Sequence, residues 1–240
     1  KYFASSEFHR QEYSSFFINK GVNIVSTGFP SFDYLTRPMA RPFYKWKGED
    51  ARKRIIWAPH HSILETDVLN YSNFPEIADD MIELAKRYKD KIQIVFKPHP
   101  RLRPKLEQLS SWGEKKTSDY YDSWADMPNT CLEDGEYYDL FLTSDAMIHD
   151  CSTFMAEYLV TEKPVMFVLK ENADMNLNQF GHQCLMRHYA GHSMMEIERF
   201  INEVVLGGKD TMKDERIAFV RSTLRSNDNN LVAENIFNEI

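Results

Sequence analysis

Four short apolar runs constrain this chain more than any other feature. Residues 55–58 (IIWA), 91–96 (KIQIVF), 146–149 (AMIH) and 165–169 (VMFVL) are too short for core helices and rich in large or β-branched side chains. Their near-continuous apolar character is that of strands buried on both faces. The intervening segments carry a helical period; residues 75–88 put Ile77, Met81, Leu84 and Ala85 on one side. Further helices are expected over residues 103–112, 118–125, 136–143, 152–161, 178–187, 194–206, 213–225 and 231–240, with a short strand at 130–132. Buried strands alternating with helices predict an α/β fold with a doubly wound, Rossmann-like parallel sheet.

The first 36 residues read as a piece of a second α/β unit. Ser5 and Ser6 suit the start of a helix over residues 7–19, Lys20-Gly21 suits its end, and residues 22–26 (VNIVS) follow as a strand. Residues 37–54, with two prolines and many charges, are expected to be a linker to the main domain at 55–230. The helix at 231–240 is expected to pack back toward the N-terminal part. A net charge of −7 argues against nucleic acid as a partner. No apolar run reaches the ~18 residues of a membrane span. Cys131, Cys151 and Cys184 show neither metal-ligand spacing nor a paired framework, and read as reduced thiols of a cytoplasmic protein.

Open α/β sheets bind ligands at the carboxyl ends of their strands, so the residues after each strand are the candidates. They are Pro59-His60-His61-Ser62, Lys97-Pro98-His99-Pro100 with Arg101, Leu132-Glu133, and Asp150-Cys151-Ser152-Thr153. Asp150 fits an N-cap, with Ser152 and Thr153 in a first helical turn whose free N–H groups and dipole attract phosphate. Lys97 and His99 on a neighbouring strand, aimed at the same point, would suit a diphosphate. Glu157, one turn beyond Thr153, can accept hydrogen bonds from ribose hydroxyls. Cys151 in that first turn would have a lowered thiol pKa. His60, His61, Ser62 and Gln179 are expected to line the cleft. Adjacent histidines point apart and no carboxylate or Cys stands at ligand spacing, so no metal site is expected.

These motifs resemble the CDP-glycerol glycerophosphotransferase family. FKPHP at residues 96–100 is similar to its Lys-x-His-Pro motif. SDAMIHDCSTFMAEYL with KPVMFV, within residues 144–168, is similar to its strand ending in Asp, its hydroxyl-bearing helix start and its Lys-Pro before the next strand. IIWAPHHS (55–62) and STGFPSFDYL (26–35, a Gly-x-Pro-x-x-Asp stretch) resemble the segments that open the C-terminal domain and close the N-terminal one. Cys151 and His149 depart from the pattern, standing where an aromatic residue and a Thr are common.

The resemblance implies a GT-B-like enzyme of two Rossmann-like domains, with only part of the first present here. By resemblance, His99 is the catalytic group and binds the donor diphosphate together with Lys97, Arg101, Asp150, Ser152 and Thr153. Glu157, Leu132 and Glu133 would hold the ribose and base. The implied reaction is attack of an acceptor hydroxyl on the β-phosphorus of CDP-glycerol, or a related polyol donor, with CMP leaving. The implied acceptor is a polymer or glycan hydroxyl at the inner membrane face, and no cofactor is implied. The family's general base is a His of the N-terminal domain, and no residue here, His9 included, matches its motif. The same residues would also serve a GT-B glycosyltransferase using a CMP- or UDP-sugar for capsule synthesis, or a non-catalytic nucleotide-binding module.

Overall fold

The computed structural model describes residues 1–48, 50–64, 72–170, 177–225 and 230–240. A small N-terminal unit pairs strands β1 (Tyr2–Ala4) and β2 (Ile24–Ser26) in parallel, with α1 (Glu7–Phe16) between them and α2 (Ser31–Thr36) after them. Ser6 starts α1, its hydroxyl accepting the His9 N–H at 3.3 Å. Lys20 and Gly21 both take positive φ in the turn that follows α1, a conformation glycine adopts without strain.

The main unit follows the alternation read from sequence: β3 (Lys53–Ala58), α3 (Phe74–Arg87), β4 (Ile92–Phe96), α4 (Leu102–Gln108), α5 (Gly113–Asp126), β5 (Thr130–Leu132), α6 (Tyr138–Thr143), β6 (Ala146–His149), α7 (Ser152–Leu159), β7 (Val165–Val168), α8 (Gln179–Leu185), β8 (Tyr189–Gly191), α9 (Met194–Arg199), α10 (Lys213–Phe219) and α11 (Val232–Glu239). Helices α9 and α10 run on into π-helical segments, Phe200–Leu206 and Val220–Leu224. The six strands form one parallel sheet in the order β5-β4-β3-β6-β7-β8. Numbered within the unit that is 3-2-1-4-5-6, the order in which a crevice opens between the first and fourth strands, here β3 and β6.

Strand alternation divides the core between the two faces. Ile55 and Trp57 face one layer, with Phe74, Met81, Phe96 and Trp124; Ile56 and Ala58 face the other, with Met147, Met155 and Phe167. Met81 is 0% exposed, so truncating it to Ala should cost about 2–5 kcal/mol. Strand β8 and helix α2 have no counterpart in the sequence reading. The three residues of β8 (YAG) are half-polar and lie between helices, so they carry no strand signal of their own.

The described residues between α2 and β3 carry no helix, and this stretch is held to α6. Asp139 accepts from Tyr34 Oη at 2.7 Å and from the Phe43 N–H at 3.2 Å, and Trp46 Nε1 donates to Thr143 Oγ1 at 3.0 Å. The two ends of the chain also meet. Asp33 accepts the N–H groups of Val232 (2.7 Å) and Ala233 (3.0 Å) at the start of α11, and Lys1 pairs with Glu239 at 2.9 Å.

Candidate functional site

The loops leaving β3, β4 and β6 converge over the crevice. The His60 N–H donates to Asp150 Oδ1 at 2.5 Å, and the Asn73 N–H, at the head of α3, donates to Oδ2 at 3.0 Å. Asp150 is 3% exposed and its carboxylate ties the β3 loop to the end of β6. Burial pushes its pKa up to about 7, against the opposing pull of these N–H groups.

This placement corrects the expectation that Asp150 caps α7 beside a diphosphate. The cap position is Cys151, in extended backbone and without a side-chain cap bond. Two backbone N–H groups at the crevice would otherwise be buried without a partner, and the carboxylate is used there. Asp150 therefore joins the loop after β3, the head of α3 and the end of β6. The thiol of Cys151 is likewise corrected: burial raises its pKa to about 11, outweighing the helix-start N–H groups that lower it.

Lys97 also differs from expectation. Only 5% exposed, it donates from Nζ to the Gly135 carbonyl at 2.8 Å, and so holds the loop after β5. Burial lowers its pKa, while Glu133, Asp134 and Glu136 work to keep it charged. Glu133 folds back onto the Gly135 N–H at 2.7 Å. Leu132 is the last residue of β5, beside Phe96. Arg101 is exposed after β4, and Gln179 is exposed at the start of α8, whose cap Asn178 accepts the Gly181 N–H at 2.9 Å.

The histidines come together. The rings of His60 and His61 lie 4.2 Å apart, His61 and His99 4.2 Å, and His60 and His99 5.2 Å. Adjacent residues in a strand would point apart; these two follow the strand, in a loop, and their rings face each other. One nitrogen from each of the three falls within 4.8 Å of the others, close enough to raise metal binding.

Ring tautomers favour another chemistry. The Arg101 N–H donates to His99 Nδ1 at 3.1 Å, so the neutral ring carries its proton on Nε2. Burial, with His61, Arg101, Lys105 and Lys97 nearby, lowers the His99 pKa to about 4, so the ring is neutral at pH 7. His60 Nδ1 receives the Ser62 N–H at 3.3 Å and lies 2.8 Å from Ser62 Oγ. A metal on His99 Nε2 would drive the ring proton to Nδ1, against the Arg101 N–H. An oxyanion takes the Nε2–H as it stands. The His60–His61 loop touches His99 on one side and Asp150, ahead of the α7 N-terminus, on the other. Ser152 and Thr153 form that first turn, Ser152 half-buried and Thr153 exposed. The arrangement offers imidazole N–H donors and a helix N-terminus to one anionic group.

Glu157 lies on the same helix, half-buried with its pKa raised by burial. It accepts from Tyr137 Oη at 3.0 Å and is also hydrogen-bonded by the Ser31 side chain. Sequence reasoning missed Tyr137, Ser31 and Asn73. Asn73 sits just ahead of a proline-opened helix, a visible start signal, but its backbone role could not be read from the chain.

A protein-family profile for CDP-glycerol:poly(glycerophosphate) glycerophosphotransferase matches residues 1–240. The chain belongs to that family. Among solved structures, the wall teichoic acid polymerase TagF matches over 99% of this chain and 58% of its own, at 17% identity and a TM-score of 0.59. A TagF form soaked with CDPG matches over 98% of this chain and 56% of that one, at 17% identity and a TM-score of 0.59. The UDP-GlcNAc 2-epimerase of Neisseria meningitidis, bound to UDP-GlcNAc, matches over 99% and 59%, at 15% identity and a TM-score of 0.54. These likenesses establish a shared GT-B-like fold. The chain spans about 58% of TagF's length. No curated protein matches. Among the described residues no helix is long and apolar enough to cross a membrane.

Proposed function

We propose that this chain holds the donor side of a CDP-glycerol glycerophosphotransferase of teichoic acid synthesis. In this reading an acceptor hydroxyl, on a polymer or glycan at the inner membrane face, attacks the β-phosphorus of the donor. A new oxygen–phosphorus bond forms, the bond to the CMP oxygen breaks, and the hydroxyl proton passes to a general base. Chemistry of this type rests on positioning and charge stabilisation. The observation that carries the reading is the neutral His99 ring, its Nδ1 taken by the Arg101 N–H so that Nε2 carries the proton, packed against His60 and His61. Family membership supports a cytidine diphosphate as the anion placed there. Glu157, with Tyr137 beside it, suits the ribose hydroxyls.

The test is thermal unfolding with CDP-glycerol, CDP, CMP, UDP-sugars and buffer. A ligand at about 100 times its Kd stabilises the native state by about 2.7 kcal/mol. For a chain of this size that moves the midpoint by roughly 5–10 °C. CDP-glycerol should give the largest shift. No shift with any cytidine nucleotide would sink the reading, and a larger shift with a UDP-sugar would transfer it to a GT-B glycosyltransferase.

A further inference from the structure

The crevice has a positively charged flank on α4. The ends of β4, β3 and β6 stand level, since Trp57 pairs with Phe96 on one side and with Ile148 on the other. His99, His60 and Cys151 each lie three residues past that level, side by side along the carboxyl edge. Neighbouring strands are about 4.8 Å apart, so the head of α7 and the turn holding His99 are roughly 10 Å apart. That span suits a diphosphate whose CMP end lies at α7 and whose β-phosphorus lies at His99. Attacking and leaving oxygens stand roughly in line at the phosphorus. With CMP leaving toward α7, the acceptor hydroxyl approaches from the β4 side, over α4.

Arg101 and Lys105, four residues apart at the start and along the length of α4, share one helix face, with Cβ atoms about 5–6 Å apart. Both charges reach His99 and oppose its protonation, so this face borders the site. Arg101 is exposed, and its guanidinium makes no hydrogen bond or ion pair among the described residues. Arg103 is engaged elsewhere, with Glu107 at 3.1 Å and over the Tyr121 ring. Lys97 is held by the Gly135 carbonyl. Arg101 thus brings an uncommitted planar fork to the side from which the acceptor comes. Such a fork matches the paired free oxygens of a phosphodiester, which a lysine meets only as a point charge.

We propose that Arg101 selects the acceptor: its guanidinium holds the phosphodiester one glycerol behind the attacking hydroxyl, and Lys105 adds positive charge where the acceptor chain continues along α4. The preferred acceptor is then an anionic glycerol phosphate chain, in keeping with the poly(glycerophosphate) of the family description, over free glycerol or an uncharged glycan. That the phosphodiester belongs to the acceptor rests on the transferase reading above; the phosphodiester site itself rests on the Arg101 face of α4.

Titration calorimetry on the whole chain tests it, with a phosphodiester-linked glycerol phosphate trimer ending in a free hydroxyl as the probe and free glycerol as the uncharged control. The trimer should bind more tightly than glycerol. Arg101→Gln should weaken trimer binding roughly 10- to 150-fold, the loss of a hydrogen-bonded charge contact, while CDP-glycerol affinity stays within twofold. Arg101 is exposed, so an unchanged unligated midpoint is expected and shows that the fold is intact. Lys115→Gln, at an exposed cation paired with Asp119 on α5, controls for general charge and should leave trimer affinity within twofold. No trimer binding by the parent chain, unchanged trimer affinity in Arg101→Gln, an equal loss in Lys115→Gln, or a matching loss of CDP-glycerol affinity in Arg101→Gln would overturn the proposal; the last would return Arg101 to the donor diphosphate. Selective loss of trimer binding in a chain that shows no CDP-induced shift would uphold the phosphodiester site and sink the transferase reading instead.

Discussion

Substituting His99 by Asn separates the two roles of one ring. His99 Nδ1 accepts the Arg101 N–H at 3.1 Å and so shapes the turn; Nε2–H is the group offered to the anion. An Asn side chain reproduces the first role through Oδ1 in an Asx-type turn and lacks the second. Hydrogen bonds to charged groups contribute about 1.5–3 kcal/mol each, and 1.4 kcal/mol is tenfold in Kd. His99→Asn should therefore weaken CDP-glycerol binding roughly 10- to 150-fold and leave the unligated midpoint nearly unchanged. His99→Ala should lose the same binding and some stability, because the Arg101 N–H then loses its partner. Isothermal titration with both variants gives the affinities, and thermal unfolding gives the stabilities. Binding by His99→Asn within twofold of the parent chain would refute the assignment of Nε2–H to the diphosphate. Dependence on pH adds a check. The free His99 pKa lies at about 4 and should rise when an anion binds. Protonation then favours the complex, so affinity for CDP-glycerol should be flat from pH 8 to about 6 and increase below that.

Other outcomes follow from single contacts. Asp33→Ala removes the acceptor for two N–H groups at the start of α11 and should cost about 1 kcal/mol, lowering the midpoint by roughly 2–4 °C; an unchanged midpoint would mean that the cap contributes nothing. His188 is buried and burial lowers its pKa from 6.5 to about 4. Below pH 6.5 the unfolded chain binds the proton that the folded chain refuses, so this residue removes about 3 kcal/mol of stability as pH falls from 6.5 to 4. His188→Asn, which keeps a donor for the Cys184 carbonyl, should lose less stability over that range in urea titrations; an identical pH profile would contradict the burial argument. Tyr137→Phe frees Glu157 from one hydrogen bond and should change CDP-glycerol affinity while sparing glycerol phosphate affinity, measured by titration of each.

The four central strands of the main sheet, β4, β3, β6 and β7, were legible because they are apolar on both faces, and their lengths separate them from the periodic helices around them. Positions at strand ends were legible for the same reason: the loops after β3, β4 and β6 do meet. Side-chain direction was not. Lys97 and Asp150 had the right address for a diphosphate, yet one serves the Gly135 carbonyl and the other two backbone N–H groups, since buried polar backbone must be satisfied first. The closeness of His60 and His61 depends on a loop conformation that spacing does not encode. Cys151 shows the limit of helix-dipole reasoning, as burial outweighs the field of the helix start.

The central claim is that His99 presents Nε2–H to the donor's diphosphate. Long-range proton–nitrogen spectra of the chain with nitrogen-labelled histidine measure this directly. The account predicts the Nε2–H tautomer for His99 at pH 7 and a shift of that nitrogen on adding CDP-glycerol, absent with free cytidine. An Nδ1–H tautomer, or a signal unmoved at saturating CDP-glycerol, would contradict it.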